Sequence, residues 1–394
     1  MAILAVNAGS STLKFSLHPL DGETVLPHSL TGSIQGLEPQ GKLELNYSYQ
    51  GRTVKENLQP GKDDSFEIAL QRLSDLLLHE KNLPQIKAIA HRIVHGGKAY
   101  RESVILNKKI VSDLARLNSL APLHQPHNLE GVKAFMTVFP ELPQIGCFDT
   151  AFHATLPEEE YTFALPESLR REGIRRYGFH GLSYQYIMGQ LTSLSSKSGG
   201  RVIMAHLGNG ASLCATLRTL SLATTMGFSA LDGLIMGTRS GALDAGVLLY
   251  LLEHEYNHKK IENLLYKQSG LLGLSNLSAD MRTLRGTDSE AARFAIRLFT
   301  HRIIRESGAL CACLEGLDLY AFSGGIGEHD AVLRADVCKA LHWLGLKIDP
   351  QSNQKAVGDK AMAIHAPDSA VEIWVIPTDE GRIAAADAAR LIAQ

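Results

Sequence analysis

The chain opens with Met1-Ala-Ile-Leu-Ala-Val-Asn-Ala-Gly-Ser-Ser-Thr-Leu-Lys-Phe-Ser-Leu17, and this stretch decides the fold. The apolar run from Ile3 to Asn7 predicts a strand, and the small polar residues after it predict a turn. Alternation at Leu13, Phe15 and Leu17 then predicts a second strand. A hairpin with such a tip suits a phosphate group, because glycine lets backbone N–H groups approach closely and hydroxyls add donors.

A second stretch repeats this pattern: Arg201-Val-Ile-Met-Ala-His-Leu-Gly-Asn-Gly-Ala-Ser-Leu-Cys-Ala-Thr-Leu217. Two such hairpins predict a duplicated fold, with one hairpin in each half and a cleft between the halves. Two unrelated surface hairpins are the alternative. Alternation places Lys14 on the same strand face as Thr12 and Ser16, away from the tip, so we expect it to play only a supporting role in phosphate binding.

Length and composition limit the classes of protein. A chain of 394 residues predicts two domains. The net charge of −2 gives no field that attracts nucleic acid or an anionic membrane. The longest apolar run, near Val247–Leu252, is too short to span a bilayer. Five scattered cysteines and the lack of an export signal predict buried thiols in a cytoplasmic protein.

Hydrophobic periodicity predicts an α/β protein whose halves follow one plan. In the first half we expect a small meander over 23–57, a helix over 63–80, a strand at Lys87–Val94, helices near 108–117 and 128–138, and a strand at Pro143–Phe148. Residues 154–180 are predicted to be irregular. In the second half we expect helices near 242–253, 258–267 and 288–315, strands at Leu317–Phe322 and Val371–Ile376, and a last helix from about Asp379.

Glycine-rich segments are the first candidates for phosphate binding. No Gly-Lys pair is followed by Ser or Thr, so the sequence excludes a P-loop NTPase. Ser323-Gly-Gly-Ile-Gly-Glu328 is predicted to be a turn between a strand and a helix, where backbone donors and the helix dipole favour a nucleotide phosphate or ribose. A purely structural turn is an equal alternative.

Charged and titratable side chains in glycine-rich or strand-end positions are the second candidates. Arg92 and Arg239 offer planar donor sets that suit a carboxylate or a migrating phosphoryl group, with a structural salt bridge as the alternative. Asp149 stands at a predicted strand end, where catalytic carboxylates often lie. Glu380 is either a helix cap, which its spacing favours, or a magnesium ligand.

Histidines form a third group. His124, His180 and His206 stand in segments punctuated by glycine or proline rather than on amphipathic faces, which disfavours a core role. His91 and His95 could share a metal only on a helix, and the strand prediction separates their side chains.

Motifs along the whole chain together resemble the acetate kinase family. They are Asn7–Lys14, His91–Gly97, Ala121–His124, Phe148–His153, Tyr177–Gly181, His206–Ser212, Met236–Gly241, Ser323–Glu328 and Pro377–Glu380. The resemblance implies a duplicated two-domain actin-like (ribonuclease H-like) fold with a nucleotide cleft between the domains. It implies an acyl-substrate domain of residues 1–150 plus 383–394, and a nucleotide-binding domain of residues 151–382.

The same resemblance implies reversible phosphoryl transfer between ATP and acetate, with Mg²⁺ (or Mn²⁺), in a homodimer. Catalysis would fall to Arg92, Asp149, His180 and Arg239, with support from His124. The acyl group would meet Arg92, Val94, Leu123 and Phe179, and the metal would meet Asn7 and Glu380. The nucleotide would meet Asn7, Ser11, Thr12, Lys14, His206, Leu207, Gly208, Asn209, Gly210, Gly324, Gly325, Ile326 and Gly327.

Some positions depart from the family pattern. Thr12 replaces a usual Ser, Gln125-Pro-His-Asn128 replaces Asn-Pro-Pro-Asn, and Leu182-Ser-Tyr184 replaces Thr-Ser-His. Ala230 stands where a proline commonly lines the acyl pocket, and Gly241-Ala-Leu-Asp-Ala245 replaces a more acidic run. Because Ala230 could enlarge that pocket, a propionate or butyrate kinase is one alternative. A nucleotide-dependent sensor without turnover is the other.

Overall fold

The computed structural model describes residues 1–9, 11–38, 41–59, 65–80, 82–122 and 124–394. The chain divides into two compact units, which are Met1–Ala151 with Asp379–Gln394, and Phe152–Thr378. We call them unit 1 and unit 2. The domain bounds implied by the resemblance place Ala151 and residues 379–382 in the second domain, whereas here they belong to unit 1. Those bounds stay a prediction.

Unit 1 begins with strands and then alternates helices with strands. Its strands are β1 (Ala2–Ala8), β2 (Thr12–Asp21), β3 (Thr24–Val25), β4 (Leu30–Gln35), β5 (Glu44–Tyr49), β6 (Arg52–Asn57), β7 (Ile86–Ile93), β8 (Val104–Ile105) and β9 (Gln144–Phe148). Its first helices are α1 (Ser65–His79), α2 (Lys108–Ala115) and α3 (Gln125–Val138), with a short 3-10 helix at Asn118–Leu120.

The sheet of unit 1 has the strand order β6-β5-β4-β2-β1-β7-β9-β8, with β3 pairing with β2. The predicted opening hairpin is confirmed, because β1 and β2 pair antiparallel from Ala2 with Pro19 to Ala8 with Leu13. From β1 onward the sheet is parallel through β7 and β9.

Unit 2 carries more helices. Its strands are β10 (Arg201–Leu207), β11 (Ala211–Leu217), β12 (Leu220–Thr224), β13 (Leu319–Ser323), β14 (Met362–Ala363) and β15 (Glu372–Val375). Its helices are α4 (Glu158–Tyr161), α5 (Glu167–Arg171), α6 (Gly181–Leu194), α7 (Ala245–Glu253), α8 (His258–Lys267), α9 (Gly270–Ser275), α10 (Met281–Arg285), α11 (Glu290–Leu314), α12 (Gly324–His329), α13 (Ala331–Ala340) and α14 (Pro350–Lys355). Short 3-10 helices lie at Ala151–Thr155, spanning the unit boundary, and His342–Leu344, and the last helix, α15 (Glu380–Ile392), belongs to unit 1.

The sheet of unit 2 follows the plan of the first, in the order β12-β11-β10-β13-β15-β14. In this sheet the antiparallel strands β12, β11 and β10 lie next to the strands β13 and β15, which run parallel to β10. In the sheet of unit 1, β4, β2 and β1 lie next to β7 and β9 in the same way. Each sheet also ends in a short antiparallel strand, β8 or β14. The predicted α/β class and the duplicated plan are therefore confirmed.

Apolar faces of these elements form a core in each unit. In unit 1, Leu4, Leu13 and Phe15 pack with Leu73 of α1, and Ile93 and Phe148 pack with Leu129 of α3. In unit 2, Val202 and Met204 pack with Ile187 of α6. Four of the five cysteines are buried and Cys313 is exposed, and all five are free thiols.

In unit 2 one helix has no prediction and one prediction is wrong. The sequence pattern does not predict α6, because this helix is buried on most sides and shows no amphipathic period. The segment Gly324–His329 was expected to be a turn, yet it is helical from its first residue. Gly324 makes this abrupt start possible, since its φ of +74° is accessible to glycine without strain. In the described part of the chain, no helix is long and apolar enough to cross a bilayer.

Candidate active site

In unit 1, three candidate residues lie at the carboxyl ends of neighbouring parallel strands. Val6 pairs with His91, so Asn7 and Arg92 occupy the next positions of β1 and β7. Ile93 of β7 pairs with Phe148, so Asp149 directly follows the end of β9. Parallel strands bring their carboxyl ends to one edge of the sheet, which is where ligands bind in open α/β sheets.

Arg92 lies between two carboxylates. Its Nε and Nη2 atoms donate to the two oxygens of Asp149 at 3.0 and 2.6 Å, and Nε lies 3.4 Å from Glu380 Oε2. The Asp149 side chain is 2% exposed and the Arg92 side chain 23% exposed. Two carboxyl groups therefore face one guanidinium in this cluster. We call Arg92, Asp149 and Glu380 the arginine cluster.

Burial and charge act in opposite directions on the arginine cluster. Burial raises the pKa of Asp149, and the charge of Arg92 only partly offsets that rise. Burial alone would lower the pKa of Arg92, but Asp149 and Glu380 outweigh it and hold this pKa above its usual value. The guanidinium therefore stays charged at any working pH.

The prediction that Glu380 caps the last helix is wrong. The N-cap of α15 is Asp379, whose Oδ1 accepts the backbone N–H of Arg382 at 2.9 Å. Glu380 lies in the first helical turn, where its charge is favourable to the helix dipole. Its carboxylate is directed to Arg92 instead.

Buried amides fix the backbone beside Arg92, and sequence reasoning assigned them no role. Asn128 accepts the N–H of Val94 at 3.0 Å and donates to the carbonyl of Ala8 at 2.6 Å. Gln125 makes both an accepting and a donating bond with the backbone of His95, at 3.1 and 3.0 Å. Both residues belong to Gln125-Pro-His-Asn128, the segment that departs from the family pattern. That departure is the only sequence feature that pointed to these two residues.

The remaining unit 1 candidates lie at the hairpin tip and beside α3. Gly9 donates its N–H to the carbonyl of Thr12 at 2.8 Å, which closes the tip, and Ser11 and Lys14 are exposed. Val94 is buried, and His124 is half-buried at the N-cap of α3. Leu123 lies outside the described residues.

In unit 2, His180 and His206 form a pair. Their ring centroids are 4.3 Å apart, with an angle of 31° between the planes. Nδ1 of His180 bonds Ser212 Oγ at 2.8 Å, and Nδ1 of His206 bonds Ser183 Oγ at 2.8 Å. A Cβ added to Gly210 would lie 3.1 Å from His180 Nε2, so this ring edge lies against the β10–β11 turn.

Arg239 and Phe179 are held by other residues of unit 2. Arg239 is half-buried, and its Nη1 donates to the carbonyl of Ala230 at 3.0 Å, so it contacts the position that departs from the family pattern. Phe179 is buried, and its carbonyl accepts a hydrogen bond from His153 Nε2 at 2.9 Å.

The two glycine-rich segments of unit 2 lie side by side. His206 pairs with Ser323, and a Cβ on Gly324 would approach the carbonyl of Leu207 to 2.7 Å. Glu328, which sequence reasoning left without a role, accepts the N–H groups of Gly324 at 2.8 Å and Thr378 at 3.1 Å. Burial raises the pKa of this carboxyl group.

A cavity of about 1180 Å³ in unit 2 is lined by both segments, through Gly208, Asn209, Gly325 and Ile326. Its other walls come from α10 and from α12 to α14. Those residues were absent from the candidates: Ala279, Asp280, Met281, Arg282, Arg285, His329, Asp330, Ala331, Val332 and Gln354. The hydrogen bond from Arg282 lowers the pKa of Asp280 to about 2, so this wall holds an ionised carboxylate.

Possible metal ligands were compared over the described part of the chain. Within the described residues, no group of three or more His, Cys, Asp and Glu side chains could hold a metal ion. His91 lies on a strand, as predicted, and bonds Gln144 Oε1 at 2.7 Å, while burial lowers its pKa to about 4. The excess of carboxylates in the arginine cluster, with the amide of Asn7 on the next strand, instead supplies the oxygen ligands that Mg²⁺ prefers.

Known proteins resemble this chain over its whole length. A family model described as the Acetokinase family matches residues 2–386. The acetate kinase of Rhodopseudomonas palustris strain CGA009 is 46% identical over 387 residues, 96% of this chain and 95% of that protein. The crystal structure of a propionate kinase from Francisella tularensis has a TM-score of 0.90 at 34% identity and covers 98% of each chain. That of Porphyromonas gingivalis acetate kinase has a TM-score of 0.89 at 34% identity and covers 99% of each. The chain belongs to the acetokinase family.

Proposed function

We propose that the protein is a magnesium-dependent acetate kinase, which transfers the γ-phosphoryl group of ATP to acetate and forms acetyl phosphate and ADP. The observation that carries this proposal is the cavity of unit 2, which joins two glycine-rich segments. Backbone N–H groups of glycine-rich turns suit phosphates, and the cavity volume of about 1180 Å³ is ample for a nucleoside triphosphate.

The nucleotide phosphates would lie along Leu207–Gly210 and Gly324–Gly327, and the nucleoside would lie toward Asp280 and Arg282. The family resemblance also implies contacts of the nucleotide with Asn7, Ser11, Thr12 and Lys14. Lys14 is exposed on β2 with its charge directed away from the sheet core, which supports a secondary role.

The arginine cluster would bind the acid. Arg92 gives Nε and Nη2 to Asp149, and the remaining nitrogen, Nη1, would hold the acetate carboxylate. Asp149 would keep the guanidinium plane fixed, because a bidentate pair restricts its rotation. Val94, which is buried two residues after Arg92, would contact the methyl group.

The reaction needs little covalent chemistry from the protein. A carboxylate oxygen of acetate attacks the γ-phosphorus in line, and the bond to the β,γ-bridging oxygen breaks, leaving ADP. The nucleophile carries no proton, so no general base is required. Neutralising and aligning the two anions then supplies most of the rate, through Arg92 and through Arg239 on the migrating phosphoryl group. His180 would donate from Nε2 to that group, with support from His124.

Magnesium would be held by Asn7 and Glu380 together with phosphate oxygens. A site with few protein ligands suits this ion, which usually keeps waters and takes one or two carboxylates plus substrate phosphates. When bound, it neutralises charge on the β- and γ-phosphates.

The experiment is an assay with ATP, Mg²⁺ and one short-chain acid at a time, in which the acyl phosphate is trapped as its hydroxamate. We expect product with acetate, and no product with any acid would refute the kinase proposal in favour of a sensor. Arg239→Ala should lose about 10³-fold in turnover while ATP still binds. Unchanged turnover would contradict the role of Arg239.

A propionate or butyrate kinase is the second candidate. Ala230, whose carbonyl anchors Arg239, is smaller than the proline usual in the family, and the propionate kinase from Francisella tularensis shares the fold. One methylene is worth only about 1–3 kcal/mol in such a pocket. A kcat/KM for propionate above that for acetate would favour this candidate.

We further propose a cytoplasmic homodimer that buries α7. This helix has no buried residue, although Val247, Leu249, Tyr250 and Leu252 are all apolar or aromatic and exposed. A helix that is apolar on all sides requires cover, and a second copy provides it. Leu249→Glu should yield monomers by light scattering, whereas Leu78→Glu on α1, similarly exposed, should not.

A further inference from the structure

The first turn of α6 holds both imidazoles of unit 2. Ser183 Oγ bonds Nδ1 of His206 at 2.8 Å and also bonds Thr378 Oγ1 at 2.9 Å. The next residue, Tyr184, places its hydroxyl 2.5 Å from Ser212 Oγ, which bonds Nδ1 of His180 at 2.8 Å. Adjacent residues of one helix therefore orient adjacent rings of the histidine pair.

Tyr184, Ser212 and His180 form a connected chain that is almost closed to water. Tyr184 and Ser212 are 0% exposed and His180 is 9% exposed. His180 is itself the N-cap residue of α6, with a left-handed φ of 60°. A non-glycine residue adopts this conformation at a cost, so the surrounding contacts must hold it there.

The direction of the protons along this chain follows from burial. Burial raises the pKa of Tyr184 well above its usual value, so the phenol keeps its proton. A buried hydroxyl that donates to nothing costs about 1–3 kcal/mol, and Ser212 Oγ is the acceptor 2.5 Å away. Ser212 then accepts from Tyr184, and its own proton is directed to His180 Nδ1.

An imidazole that accepts at Nδ1 carries its proton at Nε2 when neutral. The Nε2 edge of His180 lies beside Gly210, in the turn proposed to bind phosphate. We propose that Tyr184 is a positioning residue, which acts through Ser212 to keep the His180 proton on Nε2, where it can be donated to the migrating phosphoryl group. The donation step rests on the proposed function, whereas the tautomer does not.

The tautomer is tested on the intact protein by ¹⁵N NMR with labelled histidine, in which the His180 signals are identified by their loss in His180→Asn. We expect a protonated Nε2 and an unprotonated Nδ1 in the wild type. A proton on Nδ1 would overturn the proposal. This measurement needs no activity, so it stands even if the kinase assay fails.

Tyr184→Phe removes only the hydroxyl. We expect His180 to become a mixture of tautomers, with kcat lower by about 10-fold, as for other residues that orient a reactive group, and KM for ATP nearly unchanged. Ser212→Ala should cause a similar loss, and the double variant should be no worse than Ser212→Ala, because both changes break one chain. Additive losses, or an unchanged tautomer in Tyr184→Phe, would contradict the proposal.

Tyr320→Phe is the matched control. Tyr320 is also fully buried in unit 2, and its hydroxyl bonds another serine, Ser307 Oγ, at 3.0 Å. Loss of this bond should lower stability to a similar extent but leave kcat and the His180 tautomer unchanged. Equal losses of kcat in Tyr320→Phe and Tyr184→Phe would indicate a structural effect only and would overturn the proposal.

Discussion

The two units carry different side chains at the corresponding strand ends of their sheets. In unit 1 the ends of β1, β7 and β9 carry Asn7, Arg92 and Asp149, and a salt bridge dominates. In unit 2 the corresponding ends of β10, β13 and β15 lead to His206, Ser323 and Thr378, and the Ser183 hydroxyl hydrogen-bonds both His206 and Thr378. The duplicated scaffold fixes where side chains lie, whereas the residue types decide what each half can bind.

Under the proposed function, electrostatics gives a reason for this division. A small acid has one charged group, so a fixed guanidinium would supply most of its binding. A triphosphate has many oxygens, and backbone N–H groups of glycine-rich segments can meet several at once. Unit 1 therefore concentrates charge in the arginine cluster, and unit 2 distributes donors over two segments.

Arg92→Ala should have the largest effect. We expect turnover to fall by about 10³-fold or more, since the acid loses its cation, and a loss of about 3–5 kcal/mol in stability, since Asp149 stays buried without its partner. The hydroxamate assay and urea unfolding measure these two quantities. Arg72→Ala is the control, because Arg72 makes a similar bidentate pair with Glu56 in the same unit but is half-exposed. Arg92→Ala with nearly wild-type turnover would contradict the role of the arginine cluster.

Asn128→Ala should rank second. It leaves the buried N–H of Val94 and the carbonyl of Ala8 without the Asn128 side chain, at about 1–3 kcal/mol for each group. Ser183→Ala in unit 2 should cost less, about 1 kcal/mol, because Ser183 bonds half-buried side chains rather than buried backbone groups. Urea unfolding of both variants measures the difference, and a larger loss for Ser183→Ala would refute this ranking.

The third expected effect is a pH dependence common to both units. Burial lowers the pKa of His91 in unit 1 and of His153 in unit 2 to about 4 from 6.5. Between these values the unfolded chain binds protons that the folded chain does not, so stability falls as pH falls from 6.5 to about 4. Each histidine contributes a slope of up to about 1.4 kcal/mol per pH unit.

Urea unfolding across this interval tests the sign. His91→Gln keeps a side chain able to donate to Gln144. It should reduce the slope of the unfolding free energy against pH by up to about 1.4 kcal/mol per pH unit. A wild-type stability that rises as pH falls would contradict the assignment of buried neutral imidazoles.

The order of elements could be predicted where a local pattern was strong. The paired hairpins, the β7 strand and α15 were predicted because alternation or a 3.6-residue period shows which face is buried. Helix α6 was missed because it is buried on most sides, and Gly324–His329 was wrongly expected to be a turn because glycine usually breaks helices.

The sequence by itself determined the duplicated strand plan and the residue types at the strand ends, because both depend on short segments. Only the tertiary structure decided which of those residues meet. Glu380 reaches Arg92, and Ser212 joins Tyr184 to His180, although Glu380 and Ser212 lie far along the chain from these partners and on different elements. Such contacts depend on how helices pack on the sheets, and no local pattern in the chain encodes that packing.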